Sequence, residues 1–361
     1  MDGFIDQLKA LKGRRILLTG DTGFKGNWLT AVLCNLDIEV VGFSDEYKFR
    51  KYFQWIDDLP SYTCIRGDVR DRDKLSSIIE ENNICSIIHL AAQPLVKYGL
   101  LNPFETYDIN VNGTLNVLEE IRLNPNINNA LIVTTDKVYF NEEIAGRKYT
   151  ELDRLNGKDP YSNSKSVCDL IYNTYNDIYF KPQGKTVSSV RSGNVIGGGD
   201  FSIDRLVPDA MKALIRGRKF ELRNPYSTRP YQHVLEPVFG YLKIFVTQLE
   251  NSEIAGSYNI GPNDEMAVMS NSIMIKEICS QLNIEYAASV IEGSPLGSLE
   301  AVNLSLDCDK ALNLIGVQQR LDLYNTIRYT IEWYKAHYEG NSTKEIVESQ
   351  IKNYLDLCLN K

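Results

Sequence analysis

Residues 134–139 read Thr-Thr-Asp-Lys-Val-Tyr and follow directly on the apolar run Ala130-Leu131-Ile132-Val133. A strand that ends in a hydroxyl, a carboxylate and an amine side by side is suited to proton transfer. Open α/β sheets place their chemistry at strand ends that face a crevice. Asp136 and Lys137 offer an acid and a base for two different transfers in one reaction. A lysine acts as a base only after losing its proton, which takes burial or nearby cations, and the neighbouring aspartate works against that loss. Lys137 is therefore either unusually desolvated, or it positions a water or an enolate while another group takes the proton.

Two further stretches carry chemistry. Residues 161–165 read Tyr-Ser-Asn-Ser-Lys just ahead of a helical pattern, and side chains four apart on a helix share a face. An adjacent ammonium stabilises a phenolate, so Lys165 is expected to lower the Tyr161 pKa toward neutrality and make it a base toward a carbinol. Residues 19–26 read Thr-Gly-Asp-Thr-Gly-Phe-Lys-Gly. Glycines at 20, 23 and 26 let the backbone approach a pyrophosphate, whose charge the following helix N-terminus favours. The spacing is G-x-x-G-x-x-G. At the other end of such a dinucleotide, Ser44 and Asp45 stand where a second strand should end and meet the ribose. Asp68 follows a third strand, within reach of an adenine amine. Lys48, Arg50 and Lys51 are the cations available to a 2′-phosphate.

The elements that must position these groups are legible as an alternation. Apolar runs at Arg14-Arg15-Ile16-Leu17-Leu18, at 38–44, 85–92, 129–136 and 186–195 are separated by helical stretches near 27–34, 110–122 and 162–175. Strands alternating with helices imply a parallel sheet wound on both faces, and nearly continuous apolar strands are those buried on both sides. From about residue 191 the pattern loosens into Gly-, Pro-, Arg- and Asn-rich loops at 197–208 and 223–234. The end is amphipathic at 325–338. At 361 residues with 43% hydrophobic and 24% charged residues, the chain has the length and composition of a large globular α/β body with a lobe. The net charge of −8 argues against nucleic acid or an anionic membrane as the main partner. Seven scattered cysteines without a C-x-x-C pair indicate neither a metal knuckle nor a disulfide framework, and no metal is expected. The N-terminus has no signal-peptide layout, so the expected compartment is the cytoplasm.

Together TGxxGxxG, His89-Leu90-Ala91-Ala92-Gln93, Asn110, Thr135 and Y-x-x-x-K resemble the extended short-chain dehydrogenase/reductases. TGDTGFKGNWL, AAQPLVKY, TDKVY, DPYSNSK, RSGNVIGGGD, DRLVPD and RNPYSTRPYQHV narrow the resemblance to the CDP-glucose 4,6-dehydratase branch, over almost the whole chain. Three stretches depart from it. Tyr231 stands for a usual Trp, the segment after Thr-Asp-Lys lacks tryptophans, and residues 294–301 replace a His-containing segment.

The resemblance implies a Rossmann-type doubly wound parallel sheet with a smaller mixed α/β substrate-binding lobe. The expected division is an NAD-binding domain of residues 1–190, with 232–270 returning to it, and a nucleotide-sugar lobe of 191–231 and 271–361. NAD is expected against Gly20, Thr22, Gly23, Phe24, Gly26, Ser44, Asp45, Asp68, Val69, Leu90, Ala91, Ala92, Gln93 and Asn110, with Tyr161 and Lys165. The nucleotide sugar is expected against Gln93, Asn194, Arg205, Leu206, Arg223, Arg229, His233 and Glu300. Thr135 and Tyr161 would serve oxidation at C4. Asp136 would be the acid of the elimination, and Lys137 stands where relatives acting on dTDP-glucose or GDP-mannose carry Glu.

The implied activity is dehydration of CDP-glucose to its 4-keto-6-deoxy product, a step of deoxysugar and O-antigen or lipopolysaccharide biosynthesis. A homodimer built on helices 110–122 and 162–175 is also implied. An epimerase or reductase of the same fold, or a dehydratase of another nucleotide sugar, is the competing enzyme reading. An acid–base pair after Thr135 argues against a C4 epimerase. A dinucleotide sensor without catalysis would be expected to lose Tyr161 or Lys165.

Overall fold

The computed structural model describes residues 2–46, 49–144, 146–222, 225–262, 268–290 and 304–359. Seven strands form one parallel sheet: β1 (Arg15–Thr19), β2 (Glu39–Ser44), β3 (Tyr62–Arg66), β4 (Ser86–His89), β5 (Asn129–Val133), β6 (Thr186–Ser192) and β7 (Ser257–Ile260). Their order is β7-β6-β5-β4-β1-β2-β3. The chain runs outward from β1 to β3, then crosses to β4 on the other side of β1, so a switch point opens at the C-terminal ends of β1 and β4.

The strands bury alternate residues into two cores, as their period of two requires. Ile16, Leu18, Val40, Ile88, Leu131 and Val190 point to one core, and Leu17, Val41, Phe43, Ile87, Ala130, Ile132 and Val187 to the other. Helices Phe24–Asn35 and Leu235–Glu250 cover the first face, and Arg72–Glu81, Gly113–Leu123 and Pro160–Tyr175 the second. Burial on both faces is why these strands read as unbroken apolar runs.

The lobe holds a three-stranded sheet of Asn194–Ile196, Thr228–His233 and Val268–Ser270, a parallel pair of Phe220–Leu222 with Ala288–Val290, and helices Leu206–Leu214, Asn271–Leu282 and Leu323–Glu339. The first core continues into it through Val195, Tyr231, Met274 and Trp333, which couples the lobe to the sheet. The closing helix Thr343–Leu359 lies against helix Leu235–Glu250. There Tyr354 stacks on Phe239 with ring centroids 4.6 Å apart and donates to Glu236 at 2.6 Å. The same helix packs on helix Leu323–Glu339 of the lobe, where Gln350 donates to the Tyr329 carbonyl at 2.9 Å, so it joins the lobe to the sheet body. No helix among the described residues is long and apolar enough to cross a membrane.

Candidate active site

The stretch 134–139 divides its work between anchoring and chemistry. Thr134 donates to Asp169 (2.9 Å), whose carboxylate also accepts from Arg191 Nε (3.1 Å), and Arg191 in turn donates to Tyr139 OH at 2.8 Å. Tyr139 donates onward to Asn259 at 2.6 Å. This buried network fixes both ends of the stretch. Between them Asp136–Val138 forms a single turn of 3-10 helix capped by Thr135. Thr135 Oγ1 donates to Asp136 Oδ1 at 3.0 Å, and both residues are buried. Gly193, just past β6, leaves the space that the acid occupies: a Cβ there would lie 3.1 Å from Asp136 Oδ2. Burial raises the Asp136 pKa above the ordinary carboxylate value, against the pull of Lys137, the Thr135 hydrogen bond, Lys25 and Arg229. A carboxyl held protonated more readily than usual suits an acid. Lys137 is half-buried on the same turn.

Helix Pro160–Tyr175 opens on an Asp159 cap and a proline in its first turn, which places Tyr161 at the rim and Lys165 one turn inward. Tyr161 shares a hydrogen bond with Thr135, and Arg205 faces it from the lobe. Lys165 Nζ donates to the Val133 carbonyl at 3.2 Å. The expected lowering of the tyrosine pKa is not what this arrangement gives. Burial pushes Tyr161 up to about 12, outweighing the Thr135 bond and Arg205. Burial also lowers Lys165, whose ammonium is turned to the end of β5. Proximity on one helix face is thus insufficient to make the phenolate.

Asn110 ties this helix to the loop after β4. Its side chain accepts from Gln93 N (2.8 Å) and donates to the Gln93 carbonyl (3.1 Å) and to Ser164 Oγ (2.9 Å), the residue before Lys165. The Gln93 amide itself is folded inward, donating to Thr106 and accepting from Leu95 N.

The loop after β1 has the shape a pyrophosphate needs. Gly20 adopts φ +73°, and a Cβ there would sit 2.6 Å from the Ala91 nitrogen. At Gly26 a Cβ would lie 2.1 Å from the Gly20 carbonyl. Gly23 is the N-cap of helix Phe24–Asn35 and brings no side-chain cap to it, so the first N–H groups are left to an anion. The residues thus fit a dinucleotide. Farther along, Ser44 donates to Asp21 at 2.7 Å and lies 3.4 Å from Thr22 N. Asp21 also receives Arg50 (2.9 Å) and Tyr62. Arg50 is fully buried in that pair and approaches Asp57 at 3.4 Å. It is a structural cation, so it does not serve as the 2′-phosphate ligand considered above, while Lys48 lies outside the described residues. Asp45 stays exposed beside Ser44. The Asp68 carboxylate is gripped by Arg70, which lowers its pKa and bridges it to Asp108. Val69 is buried, and Leu90, Ala91 and Ala92 line the turn after β4 half-exposed.

On the lobe side Asn194 and Arg229 lie on adjoining strands, with Leu206 opening a helix capped by Arg205. Arg229 acts electrostatically on Asp136, and Arg205 on Tyr161. His233 is corrected by the structure. It is fully enclosed between Trp28 and Tyr329, ring centroids 5.5 Å from each, and burial lowers it to about 3. Its ring is turned into the core at the end of strand Thr228–His233 and is closed off from solvent. Arg223 and Glu300 lie outside the described residues. Motif reading missed Asp200, which holds Arg205 Nη1 at 3.2 Å and accepts Ser202 N at 3.0 Å. It missed Lys25 and Tyr241 as well. The available signal for Asp200 was its place directly after three glycines, the second of which leaves room for the Trp333 ring.

A family model described as GDP-mannose 4,6-dehydratase matches residues 17–330. The chain is 36% identical over 356 residues to a CDP-glucose 4,6-dehydratase of Salmonella typhimurium, covering 95% of this chain and 97% of that one. It is 25% identical to the dTDP-D-glucose 4,6-dehydratase of Bos taurus, covering 91% and 90%. Among solved structures, a dTDP-glucose 4,6-dehydratase from Bacillus anthracis in complex with NAD superposes with TM-score 0.76 at 24% identity, covering 90% of this chain and 98% of that one. An epimerase from Methanothermobacter thermautotrophicus superposes with TM-score 0.81 at 19% identity, covering 93% and 96%.

Proposed function

Because the chain belongs to the GDP-mannose 4,6-dehydratase family, we propose that it is an NAD-dependent hydro-lyase that converts CDP-glucose to CDP-4-keto-6-deoxyglucose. The observation that carries this reading is the cluster at the end of β5, where Thr135 joins Tyr161 to Asp136 with Lys137 on the same turn. One face serves oxidation and the other elimination.

Bound NAD supplies a reversible acceptor for the C4 hydride. Tyr161 takes the proton of the sugar 4-hydroxyl while Thr135 holds that oxygen by a hydrogen bond. The resulting ketone acidifies C5–H. Lys137, or a water it orients, removes that proton, and Asp136 protonates the departing 6-hydroxyl. The C6–O bond breaks as C5=C6 forms, and water leaves. Hydride return to C6 and a solvent proton at C5 complete the product. Asn194, Arg205 and Arg229 hold the nucleotide diphosphate, the arginines by forked bonds to its oxygens, with Leu206 against the nucleotide. Residues 1–190 with 232–270 form the NAD-binding body in this reading, and the lobe receives the sugar. Exposed Leu101, Phe104, Leu170 and Ile178 on the helices flanking Asn110 and Tyr161 favour a homodimer through that face. A cytoplasmic place in O-antigen or lipopolysaccharide deoxysugar synthesis accords with this chemistry.

Incubation of the purified protein and NAD with CDP-glucose, dTDP-glucose, UDP-glucose and GDP-mannose tests the substrate. A 4-keto-6-deoxy product is expected from CDP-glucose first, and a preference for another nucleotide would refute the assignment.

Two binding predictions follow from the geometry. NAD is expected to bind at least about tenfold more tightly than NADP. A 2′-phosphate would meet exposed Asp45, while Arg50 is buried against Asp21. Calorimetry with both cofactors measures this, and tighter NADP binding would contradict it. Arg229→Ala should raise KM for CDP-glucose about tenfold or more, the loss of a charge-assisted hydrogen bond. Its thermal melt should be near that of the parent, because Arg229 is half-exposed. An unchanged KM would remove Arg229 from the diphosphate site.

A further inference from the structure

The glycine loop carries a lysine, Lys25, that nothing in the dinucleotide reading uses. Its ammonium is not left to solvent. Nζ donates to Ser192 Oγ at 2.7 Å and approaches Tyr241 OH at 3.1 Å. Those two hydroxyls are themselves 2.6 Å apart and belong to buried residues. Ser192 ends β6, and the next residue is Gly193, whose missing side chain makes room for the Asp136 carboxyl. Lys25 is thus held at the residue that precedes Gly193, the glycine that faces the acid, and its charge acts on Asp136. Reaching Ser192 from the glycine loop takes a long side chain with a charged end, a demand that a tight strand-to-helix turn alone would not make.

We propose that Lys25 is a positioning residue of the elimination step: a fixed cation that stabilises the Asp136 carboxylate left when the acid has given its proton to the departing 6-hydroxyl. The inference rests on the assignment of Asp136 as that acid. In the step, the C5–H pair becomes the C5=C6 bond, the C6–O pair takes the Asp136 proton, and water leaves. Asp136 is then an anion with almost no water around it. The groups that face it are Lys137 and Thr135 on its own turn, Lys25 from the glycine loop, Arg229 from the substrate strand, and Tyr161 from helix Pro160–Tyr175. Burial raises the Asp136 pKa and so disfavours the anion, and Lys137, Lys25 and Arg229 oppose it. Lys137 is itself assigned to proton transfer, and Arg229 to the diphosphate. Lys25 is tethered to two buried hydroxyls and has neither of those duties.

The test is a carboxyl-carbon NMR titration of the full-length protein, with the Asp136 signal identified by its loss in Asp136→Asn. Lys25→Met should move the Asp136 midpoint upward by on the order of one pH unit, and Lys25→Arg should leave it near the parent value. In single turnover, Lys25→Met should slow elimination about tenfold, while reduced-nicotinamide absorbance appears at the parent rate. If the midpoint stays fixed in Lys25→Met, or if that variant stops before any such absorbance, the proposal is overturned. Normal elimination in Asp136→Asn would overturn the assignment of the acid itself, a different result from a fixed midpoint.

Discussion

Tyr161→Phe is expected to lose C4 oxidation by about 10²-fold or more, the usual contribution of a positioned general base, while still binding NAD. The tyrosine is half-buried and hydrogen-bonded to Thr135, so its removal leaves the sugar 4-hydroxyl without a proton acceptor at the rim of the helix. Phenylalanine preserves the ring and its packing, and the glycine loop proposed to hold the cofactor, at Gly20, Gly23 and Gly26, lies on a different element. The measurement is single-turnover appearance of reduced-nicotinamide absorbance with CDP-glucose, alongside calorimetric binding of NAD. Near-parent absorbance in the variant would remove Tyr161 from its role. The pKa direction adds a second expectation. Because burial pushes Tyr161 up to about 12, the tyrosine of the free enzyme is a phenol at neutral pH. Oxidation in the parent enzyme should therefore accelerate with rising pH. Arg205 lowers the Tyr161 pKa, so removing it raises that pKa and Arg205→Ala should need a higher pH for the same rate.

Much of this site was legible because its parts are local in sequence. The G-x-x-G-x-x-G loop, the two continuous apolar strands around it and the Y-x-x-x-K pair each show their spacing within eight residues, and each took its expected place. Long-range geometry was not legible. Lys25 meets Ser192 and Tyr241 across 167 and 216 positions, and Thr134, Asp169 and Arg191 form one buried network from three elements. His233 looks like a ligand residue in a loop motif, yet the rings that enclose it come from Trp28 and Tyr329. The Tyr161 pKa failed for a related reason. Helical spacing brings Lys165 onto the same face, but desolvation depends on what the lobe and β5 place around both groups. Arg50 reads as a loop cation by position, and only the fold shows that Asp21 takes it inside.

Separation of the two half-reactions is the sharpest expectation for the acid–amine pair. Asp136→Asn and Lys137→Met are both close in shape to the parent residues, and the asparagine amide oxygen still offers Thr135 an acceptor, so the Tyr161–Thr135 bond proposed to serve oxidation should survive. Each should reduce bound NAD⁺ with CDP-glucose and then stall, accumulating the 4-keto sugar, with product formation down about 10²-fold or more. Asp136→Asn removes the only proton that the buried carboxyl holds for the 6-hydroxyl, and Asp136 sits 3% exposed, where solvent does not readily substitute. Lys137 is half-buried, so a water could reach the position it would act on, and its loss should be the milder of the two. Isotope labels complete the test. Hydrogen from C4 should reappear at C6 of the same molecule, and C5 should take deuterium from solvent. If both variants stop before any nicotinamide absorbance appears, the pair belongs to binding or to oxidation. If Lys137→Met alone turns over normally, the C5 proton leaves to another group, and Lys137 acts on Asp136 only through its charge.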